Sequence, residues 1–513
     1  MKKILKENFA YISFCIIIMI VNLFYINNIF LNTEKLCNIG SILIAQIIVF
    51  ILEIIFCTLI KVFIKKNFSL EKIFLMVAIP LGLIYLISIP MGENPDEYAH
   101  FSRVYEITQG KLITSLNENN DAGAEIPIEM VENAVNGKTE NYSEILELIK
   151  KPNSNQTIFH GFYNTALYNF VSYLFIIIGV FFGKILNIPV ILVGYIGRLF
   201  NLIAWITLMY FTIKITPFLK KFILFIALIP ITIAEATAIT ADAFTFAMSS
   251  FYICYILHLI YTRKDKINWK DNLILTLSAI IISLCKIIYL PLCLLLLLIP
   301  NEKYDSKKKK YTTNIAIILA SIIANLIWLK IASRFLVKLN PGVNSAEQLK
   351  FILSNPFNFL QVIFNSISYH IEEYTFSLFG RSVAGTGTTS VLYIFACICI
   401  FVSFILKQKE TIPSYFFKVL TILVVLAITG LMFCSLYLQW TPVGKETIDG
   451  VQGRYFLPYI ILIPLAFLKV NKKRENSNNS NLVIYENNNI DYIVCFMVFY
   501  NIYMLIEIFA KFL

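Results

Sequence analysis

The sequence predicts an all-α integral membrane protein that crosses the bilayer many times, and three observations support this fold class. Of the 513 residues, 58% are hydrophobic. Apolar runs of about 20 residues recur along the chain, which is the length that crosses a hydrocarbon core about 30 Å thick, and about 13 crossings result. The lysines behind the net charge of +11 lie in short segments between these runs, where cations set membrane topology, so nucleic acid is excluded as a partner.

Residues 1–66 are predicted to form two transmembrane anchor helices. The first, at residues 9–31, is longer than the apolar part of a signal peptide and lacks a small-residue cleavage site, so we expect an uncleaved anchor with a cytoplasmic N-terminus. The second, at residues 39–60, ends in lysines that the positive-inside rule places in the cytoplasm. A third run, residues 73–90, returns outward to a polar, acidic outer loop at residues 91–162, in which short surface helices are expected.

The number of membrane crossings, counted so that lysine-rich segments fall on the cytoplasmic side (here called charge parity), decides how the next two apolar runs are interpreted. If both crossed the membrane, Lys214, Lys220 and Lys221 would lie outside, against the positive-inside rule. Residues 163–182 are therefore predicted to form a re-entrant or interfacial helix. Residues 190–213 are then the true crossing, which places Arg198 in its outer half.

The rest of the chain alternates between the two sides of the membrane. Crossings are predicted at residues 222–234, 241–261, 313–332, 391–406, 419–438 and 455–470. Residues 273–300 are expected to leave and return as two short, broken helices with Lys286 near the apex. Residues 333–389 are expected to form an outer segment with amphipathic stretches. A disordered cytoplasmic linker at residues 471–489 precedes a last span at residues 490–513.

The cysteines give no sign of a metal site or a disulfide framework. Of the ten cysteines, only Cys37 lies in a loop, and the others fall in apolar runs. No Cys-x-x-Cys pair or similar metal-ligand spacing occurs among them.

Ionisable side chains gather on the predicted outer side of the bundle. The most concentrated group, Asp96, Glu97, His100 and Arg103, follows the third apolar run. The topology adds charged residues from distant parts of the chain, namely Asp242, Lys286, Arg381 and Arg454. Cations embedded in apolar sequence are usually paired with an anion. A snorkelling side chain or a structural ion pair would explain each residue alone, but the convergence on one side indicates a functional site.

Four motifs, in their order along the chain, resemble a broad family of uncharacterised bacterial polytopic membrane proteins that is grouped with the GT-C glycosyltransferases. They are Pro-Asp-Glu-Tyr-Ala-His-Phe at residues 95–101, Ala-Ile-Thr-Ala-Asp at 238–242, Cys-Lys-Ile-Ile-Tyr-Leu-Pro at 285–291 and Gln-Gly-Arg-Tyr-Phe-Leu-Pro at 452–458. The resemblance implies a GT-C-type helical bundle at residues 67–470 whose first outer loop carries the catalytic carboxylate. The chain departs from that class in having two apolar spans, where one is usual, before the span that leads into the acidic loop.

GT-C enzymes use polyprenyl-phosphate-linked sugars, so the resemblance implies sugar transfer to a cell-envelope glycan or lipid at the extracytoplasmic face of a bacterial plasma membrane. Inverting transfer needs a carboxylate base, for which Asp96 or Glu97 is the candidate, with His100 to orient it. The phosphate leaving group needs cations rather than an acid. The expected substrate-binding residues are Arg103, Arg198, Asp242, Lys286, Arg454 and Tyr455.

Three points stay open at the level of sequence. No residue spacing decides whether a divalent Mg or Mn ion binds Asp96, Glu97 and Asp242. A transporter or flippase of lipid-linked glycans would use the same cations along its path, although the chain shows no internal repeat. A glycan polymerase, which usually relies on arginine-rich outer loops, and a purely structural scaffold are the remaining alternatives.

Overall fold

The protein is an integral membrane protein built mainly from α-helices. A computed structural model describes residues 2–32, 39–135, 141–154, 156–335, 342–381, 383–386, 396, 414–467 and 490–513. Within these residues, eight helices are long and apolar enough to cross a membrane. They are Asn8–Ile29, Ile42–Lys65, Leu70–Ser88, Val190–Ile215, Asp242–Tyr261, Lys307–Phe335, Tyr415–Gln439 and Asp491–Phe512.

The first third of the chain forms three long helices and a folded loop. The long helices are α1 (Lys2–Asn32), α2 (Ile39–Lys65) and α3 (Leu70–Ser88). Helix α3 ends just before Pro90, in keeping with the bias of a residue before proline against helical backbone. The loop that follows contains α4 (Glu97–Thr108), β1 (Ser115–Leu116), β2 (Ala122–Pro127), α5 (Ile128–Val135), α6 (Tyr142–Lys150) and β3 (Thr157–Gly161).

The loop contains a small antiparallel sheet in the order β1-β2-β3. Strands β2 and β3 pair from Gly123 opposite Gly161 to Pro127 opposite Thr157. A Cβ atom at Gly123 would lie 2.3 Å from the backbone oxygen of His160, so only glycine fits this crossing. The sequence predicted only helices here. The strands were missed because β2 and its partner β3 are separated by two helices, and pairing over that distance leaves no local signal.

Two short helices and a long one follow the sheet: α7 (Tyr163–Ala166), α8 (Leu174–Ile185) and α9 (Val190–Ile215). The 12 residues of α8 extend about 18 Å at 1.5 Å per residue, which is shorter than a hydrocarbon core. Helix α8 packs along α9 and also contacts α4. It therefore ties the loop to the bundle.

The remaining helices are α10 (Lys220–Ala227), α11 (Pro230–Ala236), α12 (Asp242–Tyr261), α13 (Trp269–Cys285), α14 (Lys307–Ala332), α15 (Ser345–Ser354), α16 (Pro356–Phe379), α17 (Tyr415–Gln439), α18 (Leu462–Phe467) and α19 (Ile490–Phe512). Short 3₁₀ helices occur at Phe170–Tyr173, Ile287–Leu298, Asn301–Lys303, Ser333–Phe335, Val383–Gly385 and Gly453–Tyr459.

Several predicted crossings are broken rather than continuous. The segment expected to cross at residues 222–234 is divided into α10 and α11 ahead of Pro230. The segment expected at residues 455–470 begins with the 3₁₀ helix Gly453–Tyr459. Lys286 lies between α13 and the 3₁₀ helix Ile287–Leu298, at the break that the sequence predicted. The crossing expected at residues 391–406 and the linker at 471–489 lie outside the described residues. The broken helices and the segments outside the described residues explain why eight long apolar helices are found where 13 crossings were expected.

The last helix, α19, lies inside the bundle. Of its apolar window, 83% is buried, compared with 28% for α1 and 22% for α2. Helix α19 packs against α1, α2 and α3, and the rings of Tyr25 and Tyr503 are 4.3 Å apart. The N-terminal helix pair is therefore attached to the bundle mainly through the C-terminal helix.

Candidate active site

Glu97, at the start of α4, forms a closed ion pair with Arg198 of α9. Arg198 Nε donates to Glu97 Oε1 at 2.7 Å, and Nη2 donates to Oε2 at 2.5 Å. The backbone N–H of Ile239 donates to Oε1 at 2.9 Å, and that of Gly92 to Oε2 at 3.0 Å. Both side chains have 0% exposure. The Glu97 carboxylate therefore has its four acceptor positions filled.

The other donors of Arg198 contact backbone oxygens at the end of α3. Nη1 donates to Ile89 O at 2.6 Å, and Nη2 donates to Pro90 O at 3.0 Å. Arg198 was expected to bind the donor phosphate, but its guanidinium is directed at protein atoms and is closed to solvent. The side chain instead fixes the turn that carries the motif at residues 95–101. The same saturation argues against Glu97 as the proton acceptor.

Arg103, expected to bind substrate, is also part of a structural pair. Its Nη1 lies 2.5 Å from Glu106 Oε2, and its Nη2 donates to Leu112 O at 2.6 Å. The second oxygen of Glu106 accepts from the backbone N–H of Ser115 at 3.1 Å. Arg103 is fully buried and holds the turn that leads into β1, so it is not available to a substrate.

Asp242, Lys286, Arg454 and Glu235 form a second group, which we call the charged centre. Lys286 Nζ donates to Asp242 Oδ1 at 2.6 Å, and Arg454 Nη1 donates to Glu235 Oε1 at 2.7 Å. Arg454 Nε lies 3.1 Å from Asp242 Oδ2. Two anions and two cations from α11, the start of α12, the break after α13 and the 3₁₀ helix Gly453–Tyr459 thus meet at one place.

The charged centre is partly open, unlike the Glu97–Arg198 pair. The side chains of Asp242 and Lys286 are each 16% exposed. Arg454 Nε lies within ion-pair distance of Asp242, but it makes no hydrogen bond of good geometry within the described structure. A buried donor without a partner usually indicates an oxygen that the structure does not show, such as one from water or a ligand.

Aromatic rings cover the cationic side of the charged centre. Lys286 Nζ lies 4.4 Å from the ring centroid of Tyr455 and 5.7 Å from that of Tyr168. The Tyr289 hydroxyl donates to the backbone oxygen of Tyr455 at 2.9 Å. Tyr455, expected near substrate, therefore borders the Lys286 ammonium.

His100 connects the loop to the charged centre. Its Nδ1 lies 2.6 Å from the Tyr173 hydroxyl, and its ring meets the Tyr168 ring edge-on at 5.3 Å. Burial lowers the pKa of His100, the Asp242 carboxylate opposes this shift and the Arg454 and Lys286 cations add to it, so that the pKa is about 3. His100 is therefore neutral at neutral pH and acts through hydrogen bonds.

Asp96 is the exposed carboxylate of the motif. It precedes α4 in a left-handed conformation with φ of 60°, and its side chain does not cap the helix. Its Oδ1 accepts a hydrogen bond from Asn164 Nδ2 at 3.0 Å. Asp96 thus keeps acceptor positions open to an incoming hydroxyl, which Glu97 does not.

A divalent metal does not fit Glu97 and Asp242, two of the three carboxylates that the sequence singled out. The oxygens of Glu97 are taken by Arg198 and two backbone N–H groups, and Asp242 is bound by Lys286. Among the described residues, the one group of three or more metal-ligating side chains consists of cysteines elsewhere in the molecule. No catalytic step is therefore assigned to a metal.

Glu235 was missed in the sequence. It lies in the apolar helix α11 and is 4% exposed, yet it binds the guanidinium of Arg454. A single carboxylate within an apolar run was a usable signal, because such a group needs a buried cation.

The fold and the site define a polytopic membrane protein with a buried, charge-balanced centre among broken helices. The chain belongs to the family described as Predicted membrane protein (DUF2142), whose model matches residues 79–463. This range includes the Glu97–Arg198 pair and the whole charged centre, but not α1, α2 or α19. No curated protein matches the chain. No solved structure matches it.

Proposed function

We propose that the protein is a membrane glycosyltransferase that moves a sugar from a polyprenyl-phosphate donor to a hydroxyl of a cell-envelope glycan or lipid. The observation that carries this proposal is the charged centre, with two cations held by two carboxylates and an accessible face. GT-C membership, the extracytoplasmic side and the bacterial plasma membrane are parts of the same proposal. The membership of the family, the membrane spans and the open centre support it.

The charged centre suits the phosphate of the donor. Glu235 and Asp242 hold Arg454 and Lys286 in place, so the cations need little reorganisation when a phosphate arrives. The exposed part of Lys286 is the donor that an incoming phosphate meets, and Arg454, paired with Glu235 and Asp242, adds positive charge beside it. As the sugar leaves, negative charge grows on the phosphate oxygen, and these cations stabilise it.

The proton of the acceptor goes to Asp96. In the proposed step, the acceptor oxygen attacks the anomeric carbon from the side opposite the phosphate, and Asp96 takes the hydroxyl proton. The bond between the anomeric carbon and the phosphate oxygen breaks, and its electron pair leaves with the polyprenyl phosphate. The configuration of the sugar is inverted. His100, neutral and bonded to Tyr173, positions the start of α4 and supplies no charge.

A transporter of lipid-linked glycans is the second candidate, because one observation favours it. The residues of the charged centre lie at helix breaks: α11 follows a break, Lys286 occupies one, and Arg454 lies in a 3₁₀ segment. Broken helices that bind substrate within the membrane are typical of secondary transporters. A polymerase gains less support, because the outer-segment Arg381 lies 3.3 Å from Glu373 on an exposed surface.

Turnover separates the two candidates. Purified protein in detergent is incubated with radiolabelled undecaprenyl-phosphate sugars and with extracted cell-envelope glycans and lipids as acceptors, and release of undecaprenyl phosphate is measured. We expect release by the wild type and a loss of about 100-fold or more for Asp96→Asn, the size of a general-base contribution. Because Asp96 is exposed, thermal stability should not change.

Glu118→Gln is the matched control, because Glu118 is an exposed carboxylate of the same loop. It should keep wild-type turnover. If the Asp96→Asn variant keeps wild-type turnover, Asp96 is not the general base. If no sugar is released from any donor while intact lipid-linked glycan crosses proteoliposome membranes, the protein is a transporter and the glycosyltransferase proposal is wrong.

A further inference from the structure

Three cysteines from three different helices meet inside the N-terminal part of the bundle. They are Cys15 of α1, Cys57 of α2 and Cys495 of α19, and their Sγ atoms all lie within 4.8 Å of one another. All three are buried and none forms a disulfide. This cysteine cluster lies outside the residues matched by the family model and apart from the charged centre.

Polar groups lie beside the cysteine cluster, at the end of the bundle that the charge pattern predicts to be cytoplasmic. The Tyr11 hydroxyl donates to the backbone oxygen of Cys57 at 2.7 Å and lies 3.2 Å from Cys495 Sγ. Lys61 Nζ is 4.2 Å from the ring centroid of Tyr11 and 2.8 Å from Asp491 Oδ2. The thiols thus have a hydroxyl beside them and a cation close by.

Packing alone explains a single buried cysteine, since the thiol behaves as a small apolar group. Cys254 and Cys293 are of this kind, because each is buried and, among the described residues, neither belongs to a group of three metal-ligating side chains. The cysteine cluster differs in bringing three sulfur ligands to one point from segments far apart in the sequence. Sequence spacing does not reveal this cluster, because metal-ligand motifs are recognised by short spacings along the chain and these ligands meet only through helix packing.

We propose that Cys15, Cys57 and Cys495 bind a soft metal ion, Zn²⁺, as three thiolate ligands. A tetrahedral zinc with Zn–S bonds of about 2.3 Å places its sulfur ligands about 3.8 Å apart, so the helices need only a small inward shift. Binding releases three protons to solvent, one from each thiol, and gives a complex of one negative charge before a fourth ligand is counted. Lys61 lies close by but is itself paired with Asp491, and the Tyr11 hydroxyl lies beside the sulfur of Cys495.

The ion would act as a structural clamp. Helices α1 and α2 expose most of their apolar surface and reach the bundle mainly through α19. A zinc ion shared by α1, α2 and α19 adds three bonds at this junction, and structural zinc sites contribute directly to folding free energy. Loss of the ion should therefore loosen the N-terminal helix pair before it affects the charged centre.

Metal content tests the site on the full-length protein. The protein is purified under nitrogen with a phosphine reductant, exposed to ZnCl₂ and desalted, and zinc is counted by mass spectrometry. We expect about one zinc per chain in the wild type and a severalfold loss in Cys15→Ser, Cys57→Ser and Cys495→Ser. Cys293→Ser, which changes a buried cysteine outside the cluster, should keep its zinc.

A second measurement needs no variant and so does not depend on how the variants fold. Wild-type protein loaded with Co²⁺ should show the intense thiolate-to-cobalt absorption that carboxylate or imidazole ligands do not give, and Zn²⁺ should abolish it. Equal zinc in all variants would mean an adventitious ion only. That result, the absence of thiolate-to-cobalt absorption, or a disulfide between two of the three cysteines in the anaerobic protein would overturn the site. None of these readouts involves sugar transfer.

Discussion

The protein contains two buried groups of charged side chains, the Glu97–Arg198 pair and the charged centre, and the two are built differently. The Glu97–Arg198 pair is fully enclosed, and each carboxylate oxygen has two donors. In the charged centre, Asp242 and Lys286 are partly exposed, and one donor of Arg454 has no hydrogen-bond partner within the described structure. The Glu97–Arg198 pair is fully hydrogen-bonded and leaves no acceptor for a ligand. The open one keeps binding capacity, so the contrast separates structural charges from functional ones.

The energetics support the same division. An enclosed ion pair with complete hydrogen bonding contributes little net stability compared with apolar packing, but removing one partner leaves a buried charge alone. Arg198 also binds the backbone at the end of α3, so its loss would free the start of α4. The charged centre contains two anions and two cations, and the loss of one partner there leaves other opposite charges within reach.

The largest effect is expected at the closed pair. Arg198→Met leaves Glu97 without its cation in a site with 0% exposure, and we expect a loss of about 3–5 kcal/mol in the free energy of unfolding. Thermal unfolding in detergent, followed by fluorescence, measures it. Lys309→Met is the control, because Lys309 pairs with Asp305 on an exposed surface and should change little. A stable, folded Arg198→Met protein would show that the pair is not structural.

A somewhat smaller effect, on activity rather than folding, is expected at the open centre. Lys286→Met leaves Asp242 close to Arg454, so the melting temperature should move much less than in Arg198→Met. In the proposed mechanism Lys286 stabilises the leaving phosphate, so its loss should lower turnover about 100- to 1,000-fold. The turnover rate and the melting temperature of Lys286→Met, measured on the same preparation, test this prediction. A drop in stability as large as that of Arg198→Met would erase the distinction between the two groups.

The last prediction concerns a dependence on pH rather than a change at neutral pH. The pKa of His100 is lowered by burial to about 3 in the folded protein, against about 6.5 when unfolded, so the unfolded state gains a proton first on acidification. The stability that neutral His100 contributes is complete above pH 6.5 and is lost as pH falls from about 6.5 towards about 3. His100→Gln should show a shallower fall in melting temperature over this interval. An equally steep fall in both proteins would mean that other groups govern it.

Part of this structure could be predicted from sequence. Long apolar runs identified the candidate spanning helices, and the crossing predicted at residues 190–213 corresponds to α9, which is long enough to span. The re-entrant or interfacial helix predicted at residues 163–182 is divided into α7, a 3₁₀ helix and α8. The sequence also predicted that a cation embedded in apolar sequence would have an anion beside it, and Asp242 lies beside Lys286. These features depend on composition and on local helix length, which a sequence displays directly.

The rest depends on contacts between distant segments. Arg198 and Glu97 are both polar residues near one predicted face, and only the packing of α9 against the end of α3 shows that each saturates the other. Glu235 was hidden in an apolar helix, and the cysteine cluster was divided among three helices. Broken helices also reduced the number of long spans, because 3₁₀ and proline breaks leave the hydropathy of a run unchanged.

Binding of the lipid phosphate tests the central claim most directly. Native mass spectrometry of the protein with undecaprenyl phosphate and with undecaprenol compares ligands that differ only in the phosphate. The open charged centre predicts that the wild type prefers undecaprenyl phosphate, and that Arg454→Lys, which loses the forked donor, reduces this preference about tenfold while Glu118→Gln leaves it unchanged. Equal binding of the phosphate and the alcohol by the wild type, or an undiminished preference in Arg454→Lys, would contradict it.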